Sequence, residues 1–365
     1  MTIAILIAMG SRSEAEFLPE TRSIDAQITR VVVERAHQVG GKKRFEERIH
    51  ALIPDADRNC LQINHQPDVG HEFTVGRNPG TSAQFSLATA LQQIRQSETG
   101  AWLVQFAAAR NVTICLDRST ALEAHYRSHL RLLGLNARLD AAGRVVFLAH
   151  ELAHVPQHPR FSNNRRFSPG DMLLLQRVRE AAAEAVATRV LWQLRQQGFA
   201  APWRKKLTTA YHDIAENFET TMAEGQGTAR ELWATRSAFH RWFEADWRLE
   251  IYDDLMLKTL TRIAEDPIGL IPASRHLSDW YLRGIADYAG QGFLIGGDGQ
   301  ALINDFRVRG LPAGDQARLN VILEKAENAQ APTLSSIAGE ALSAVSSGPI
   351  TADGNQERTS ISRSK

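Results

Sequence analysis

The sequence predicts a mostly helical α+β fold, and three patterns predict it. Short strand-like runs gather before residue 140: Cys60–His65, His71–Val75, Val112–Leu116 and Asn136–Asp140. A strongly apolar run, Val145–Val155, has the length of a buried helix. From Ser168 onward helical patterns dominate, in long segments over roughly 168–197, 203–222, 228–246 and 248–265.

The elements follow in chain order. A charged helix is expected near 29–52, and Arg77-Asn78-Pro79-Gly80-Thr81-Ser82 is a turn-rich boundary. Leu87–Gln96 and Ala101–Ala109 read as helices broken at Gly100. Val112-Thr113-Ile114-Cys115-Leu116 has β-branched strand content. Residues 120–134 look helical, and Ala141-Ala142-Gly143 looks like a tight turn. Asn163–Arg166 is a basic loop. Ser168-Pro169-Gly170-Asp171 then opens a helix, with serine as cap, proline at the first position and aspartate at the positive end of the dipole. Gly198 stops that helix. Residues 290–299 form a glycine-rich loop or hairpin, and the Ser-, Ala- and Thr-rich chain after about residue 330 reads as a disordered tail. The expected division is 1–85, of no assignable role; 86–265, the central domain; 266–330, a helical and loop extension; and 331–365, the tail.

Composition narrows the function classes. The 365 residues include 42 basic and 41 acidic side chains, for a formal net charge of +1. So balanced a chain has no overall field to gather nucleic acid or an anionic membrane surface, and neither is an expected partner. The apolar stretch Met1–Met9 is too short to span a bilayer and lacks a basic region before it. The expected location is therefore the cytoplasm, or a host cell reached without a cleavable signal. The two cysteines, Cys60 and Cys115, exclude a four-cysteine zinc cluster. They are expected as reduced thiols, with a single disulfide as the alternative.

The chemistry concentrates at His150-Glu151-Leu152-Ala153-His154. Residues four apart on a helix are rotated by about 40° and separated by about 6 Å along the axis. Both imidazoles can then reach one zinc ion at about 2.0–2.1 Å. Glu151 is turned partly away, where it can take a proton from a zinc-bound water without being a ligand. The surrounding run, Val145-Val146-Phe147-Leu148-Ala149 with Leu152 and Ala153, is apolar, so two histidines and a glutamate there need a metal or partners.

Catalytic zinc needs a third protein ligand and an open position. The pattern that supplies a third histidine fails, because Gln157 stands where it requires glycine and Arg160 where it requires histidine. His158 lies too far along a straight helix, unless Pro156 ends the helix and bends the chain. The better source is Arg179-Glu180-Ala181-Ala182-Ala183-Glu184-Ala185. Glu180 and Glu184 share a face with Leu173, Ala187 and Leu191, and the small alanines let another helix come close. Glu180 is read as the third ligand. Glu184, one turn on, is read as holding the free nitrogen of a zinc histidine, with the reverse assignment open. An exposed stretch salt-bridged by Arg177, Arg179 and Arg189 is the structural alternative.

Together, His150-Glu151-Leu152-Ala153-His154 and Arg179-Glu180-Ala-Ala-Ala-Glu184-Ala resemble the gluzincin pattern of zinc peptidases. There a downstream glutamate is the third ligand and an acidic residue four later orients a histidine. The segment from about Ala101 to Tyr252 resembles a group of bacterial metallopeptidase domains that includes effector-type zinc proteases delivered into host cells. Ala238-Phe239-His240-Arg241-Trp242-Phe243 matches an aromatic run of those domains. The resemblance implies a zincin-like domain, with a small sheet before the motif helix and further helices after it. It implies a Zn2+ cofactor and a protein or peptide substrate. The chain departs from the pattern at Pro156, two residues after the motif, and at Glu184, where aspartate is commoner.

Trp233, Phe239, Trp242, Phe243, Trp247, Tyr252 and Met256 read as a core-packing series. Tyr211, His212, His240 and Tyr252 are groups that could stabilise an oxyanion, although none is distinguished by sequence. Val112–Leu116 or Asn136–Asp140 could add an extended substrate as a further strand. The rival functions are a non-proteolytic metal site or another zinc hydrolase on the same scaffold, and a helical interaction protein with an accidental motif.

Overall fold

The computed structural model describes residues 2–4, 53, 59–63, 80–118, 120, 122–160, 167–225, 229–265 and 276–326. The expected helix near 29–52 and the strand His71–Val75 lie outside the described residues. The chain divides into two compact units, Met1–Met256 with Ala273–Gly310, and Leu257–Pro272 with Leu311–Lys365. Among the described residues, no helix is long and apolar enough to cross a membrane.

The first unit is α+β, mostly helical with a small mixed sheet. Strands β1 (Thr2–Ala4), β2 (Cys60–Gln62), β3 (Thr113–Asp117), β4 (Ala124–Arg127) and β5 (Leu132–Asn136) line up in the order β1-β4-β5-β3-β2. The β3–β5 pair is parallel and the others antiparallel. Helices α1 (Ser82–Ile94) and α2 (Glu98–Ala109) precede β3. They break three residues before Gly100, because Ser97 caps α2 by accepting from the Gly100 N–H. Gly100 is required one turn in, since a Cβ there would lie 2.2 Å from the Ile94 carbonyl oxygen.

The described residues of 120–134 are not α-helical. They form β4, a short 3-10 turn at Ser128–Leu130 and most of β5. Ala124, Tyr126, Leu132, Leu133 and Leu135 are buried there, and the pairing that buries them overrides local helical preference. The strand expected at Asn136–Asp140 ends at Asn136, and Ala141–Gly143 is the first turn of helix α3 (Ala141–Arg160) rather than a turn of its own. β3 pairs on both sides, with β5 and β2, so Val112–Leu116 offers no open edge to a substrate. Cys60 and Cys115 face each other across β2 and β3 and form a disulfide, not two free thiols.

Helix α3 carries the motif and continues through Pro156, which was expected to end it. The next residue, Gln157, is tied to two neighbouring elements, and those bonds offset the backbone hydrogen bond that proline cannot make. Packed against α3 is α4 (Pro169–Gln196), capped by Ser168 accepting from the Asp171 N–H. Every residue of α4 from Asp171 to Leu194 is buried. A helix buried on all sides must pair its charges. Arg177 forms a bidentate pair with Asp253, and Arg189 reaches Glu231. Arg177 and Arg189 thus pair within the fold, not along a solvated stretch.

The segment expected as one helix over 203–222 is two, α5 (Ala200–Lys206) and α6 (His212–Glu224). Then come α7 (Arg230–Trp242) and α8 (Asp246–Ala264), followed by α9 (Asp279–Ile285). Phe239, Trp242 and Tyr252 are buried as a core series, while Trp233 is half exposed. Strands β6 (Asp287–Tyr288) and β7 (Gln291–Gly292) make a hairpin whose two turn residues, Ala289 and Gly290, both have positive φ. Helices α10 (Asp298–Asn304) and α11 (Phe306–Arg309) complete the unit. In the second unit, the described part beyond residue 310 is helical over 313–326.

Candidate metal centre

Helix α3 presents His150 and His154 on one face, one turn apart, toward α4. Ala181, Ala182 and Ala183 keep α4 thin where the helices meet, and Glu180 reaches the same point. His150 Nε2 lies 3.1 Å from His154 Nε2, and each is 3.5 Å from Glu180 Oε2. All three residues are buried.

The hydrogen bonds around this triangle fix where the protons are. Gln157 Nε2 donates to the Arg179 carbonyl at 3.1 Å, an oxygen that can only accept. The amide orientation is therefore set, and Gln157 Oε1 must accept from His154 Nδ1, 2.9 Å away. His150 Nδ1 donates in the same way to Glu184 Oε2 at 3.0 Å. With Nδ1 as the donor on both rings, each imidazole turns its Nε2 toward the other. Burial lowers the His154 pKa, which keeps the ring neutral. Glu180 Oε1 accepts from Gln176 Nε2 at 2.8 Å, while Oε2 has no hydrogen-bond partner.

Three acceptors therefore converge with no hydrogen between them, an arrangement that repels itself unless a cation sits among them. Ligands at about 2.0–2.1 Å from a tetrahedral ion lie about 3.3 Å apart. The observed edges of 3.1, 3.5 and 3.5 Å bracket that value. The residues present fit a metal ion.

Each donor is held from behind. Lys206, on α5 and only 2% exposed, pairs with Glu184 Oε1 and balances its charge. Gln157 also bonds the Tyr288 hydroxyl at 2.9 Å, and that hydroxyl donates to the Ala153 carbonyl at 3.1 Å. The hairpin after α9 thus reaches back to the motif helix. Sequence reasoning missed Gln157, Gln176, Lys206 and Tyr288. Gln157 and Gln176 carried a signal, since each lies three or four residues from a donor on its own helix. Lys206 and Tyr288 arrive through tertiary packing alone.

Glu151 is fully buried, and neither of its carboxylate oxygens has a partner. Burial raises its pKa to about 8; His150 opposes the shift and Glu180 adds to it. A cleft opens beside His150, with Glu184, Lys206, Tyr211 and Tyr252 in its walls. The Tyr211 and Tyr252 hydroxyls lie 3.3 Å apart, and burial raises both pKa values, that of Tyr211 to about 12. His212 is exposed and bonded to the Thr209 carbonyl, and His240 packs on Phe239; neither lines this cleft. The side chain of His158 lies outside the described residues.

No curated protein and no solved structure matches this chain. The family model described as "Putative metallopeptidase family (DUF6782)" matches residues 70–286, a span that contains His150, Glu151, His154 and Glu180. That span is more than half of the 365 residues, and the chain belongs to this family.

Proposed function

We propose that this protein is a zinc-dependent peptidase of the gluzincin kind, acting on proteins or peptides. In this reading His150, His154 and Glu180 hold the ion, and Glu151 is general base and acid. The observation that carries it is the meeting of three proton-free donor atoms within 3.5 Å of one another, beside a buried glutamate with two unpartnered oxygens. Two imidazoles and a carboxylate with a fourth position open is the donor set of catalytic zinc rather than of closed structural sites. When bound, zinc supplies Lewis acidity toward water and toward the scissile carbonyl.

The chain's own residues do the rest. Glu151 takes the proton of the attacking water and delivers it to the leaving amine, so no covalent intermediate forms. Glu184 and Gln157 hold the two imidazoles in the tautomer that leaves Nε2 free. Tyr211 and Tyr252 donate to the carbonyl oxygen as it gains charge; their protonated hydroxyls in the cleft beside His150 support this role.

The test is Glu151→Gln. Metal content should match wild type while cleavage of a peptide mixture falls by about 10²–10⁴, the usual contribution of a general base. Undiminished cleavage by the variant removes Glu151 from the mechanism. A metal-loaded wild type that cuts no peptide in the mixture removes the peptidase reading.

A further inference from the structure

We infer that Glu123 makes the cleft beside His150 a subsite for a cationic nitrogen of the substrate, its N-terminal amine or a lysine or arginine side chain. This inference rests on the peptidase reading above and gives its substrate a chemical class.

Glu123 lines the same cleft as His150, Tyr211 and Tyr252. It immediately precedes β4, and its backbone carbonyl accepts from the Asn136 N–H at 2.8 Å, which fixes the residue against β5. Its Oε2 atom is buried and has no hydrogen-bond partner. A desolvated carboxylate oxygen without a donor is costly, and a ligand that supplies one recovers that cost.

The charge balance of the walls decides the sign of that ligand. Glu184 is already matched by Lys206 and by the His150 Nδ1–H. Lys206 is used in the same pair, and burial lowers its pKa to about 7. Tyr211 and Tyr252 bond one another. Among the described residues lining the cleft, Glu123 is the carboxylate with no ion pair, and a positive group entering there meets its unpartnered Oε2. Burial raises the Glu123 pKa, opposed by the hydrogen bond its carboxylate accepts from its own backbone N–H.

The test is calorimetric binding to the full zinc-loaded chain carrying Glu151→Gln, which suppresses turnover. The probes are alanine-based octapeptides in which lysine, arginine, norleucine or glutamate is scanned along the chain, each with a free and an acetylated N-terminus. A cationic group at one position, or the free N-terminus, should tighten binding at least tenfold over its neutral counterpart. Adding Glu123→Gln should cut that preference below twofold, and adding Glu123→Lys should turn it toward glutamate, which mere loosening of the fold would not do. The same cationic preference with and without Glu123, no preference at all, or no peptide binding overturns the inference. Failure of the peptidase reading looks different: a peptide bound with the predicted preference is left uncut by the wild-type chain.

Discussion

Gln157 holds His154 by a hydrogen bond that can run in one direction only. The Arg179 carbonyl fixes the glutamine amide, so its oxygen faces His154 Nδ1 at 2.9 Å and must accept. The residue directly after the proline that was expected to end the helix thereby orients the His154 ring at the candidate metal site. Gln157→Leu keeps the size and removes the acceptor. Zinc affinity, measured by competition with a chromophoric chelator, should fall about 10–100-fold. Unchanged affinity would mean that the ring needs no such partner.

Lys206 is the counterion of Glu184 inside the protein. Lys206→Met leaves a buried carboxylate uncompensated and should destabilise the fold by about 3–5 kcal/mol. Lys206→Met with Glu184→Gln should recover much of that loss, because no buried charge remains. Urea unfolding of the two variants reads the difference. An equal loss in both would show that the lysine matters for its packing rather than its charge.

His125 gives a pH dependence that is independent of the metal centre. Burial lowers its pKa to about 4, with Arg127 acting in the same direction and Asp117 against it. The unfolded ring titrates near 6.5, so between about pH 6.5 and 4 the unfolded state binds the extra proton. The stability His125 contributes is complete above about pH 6.5 and is lost as pH falls toward 4, by about 1.4 kcal/mol per unit and about 3 kcal/mol in all. The difference in unfolding free energy between wild type and His125→Gln, followed from pH 7 to 4, should show this slope. A difference independent of pH would contradict it.

The same ring explains a glycine. His125 and Gly134 are directly paired on β4 and β5, and a Cβ on Gly134 would lie 2.3 Å from the imidazole. Gly134→Ala should cost about 1–3 kcal/mol as an overpacked site. Combined with His125→Ala, the glycine change should cost much less than it does alone. Additive losses in the double variant would show that the ring is not the obstacle.

The Cys60–Cys115 disulfide closes a loop across 55 positions of sequence. Constraint of the unfolded chain over such a loop is worth about 4 kcal/mol in the chain-entropy picture. Reduction should lower the urea midpoint accordingly, and thiol titration of the denatured, non-reduced protein should find no free thiol. Two free thiols in the protein purified under oxidising conditions would contradict the bond.

The meeting of His150 and His154 on one helix face was legible because residues four apart on a helix share a face. Glu180 and Glu184 were legible for a related reason: two carboxylates among alanines on one face are expensive unless used. The β4–β5 segment was not legible, because its strands are defined by pairing with β3 and β1, which the local sequence does not show. Nor was the path through Pro156, since the bonds that hold Gln157 come from Arg179 and Tyr288, 22 and 131 positions away. Glu123 gave no signal either; it matters because of what lines the same cleft.

The most direct test of the metal centre is elemental analysis of the purified full chain beside His154→Ala, Glu180→Ala and Glu151→Gln. One zinc per wild-type chain, kept by Glu151→Gln and lost or greatly weakened in the other two, is the predicted result. A wild type that takes up no metal, or variants at 154 and 180 that bind it as tightly as wild type, would contradict the account.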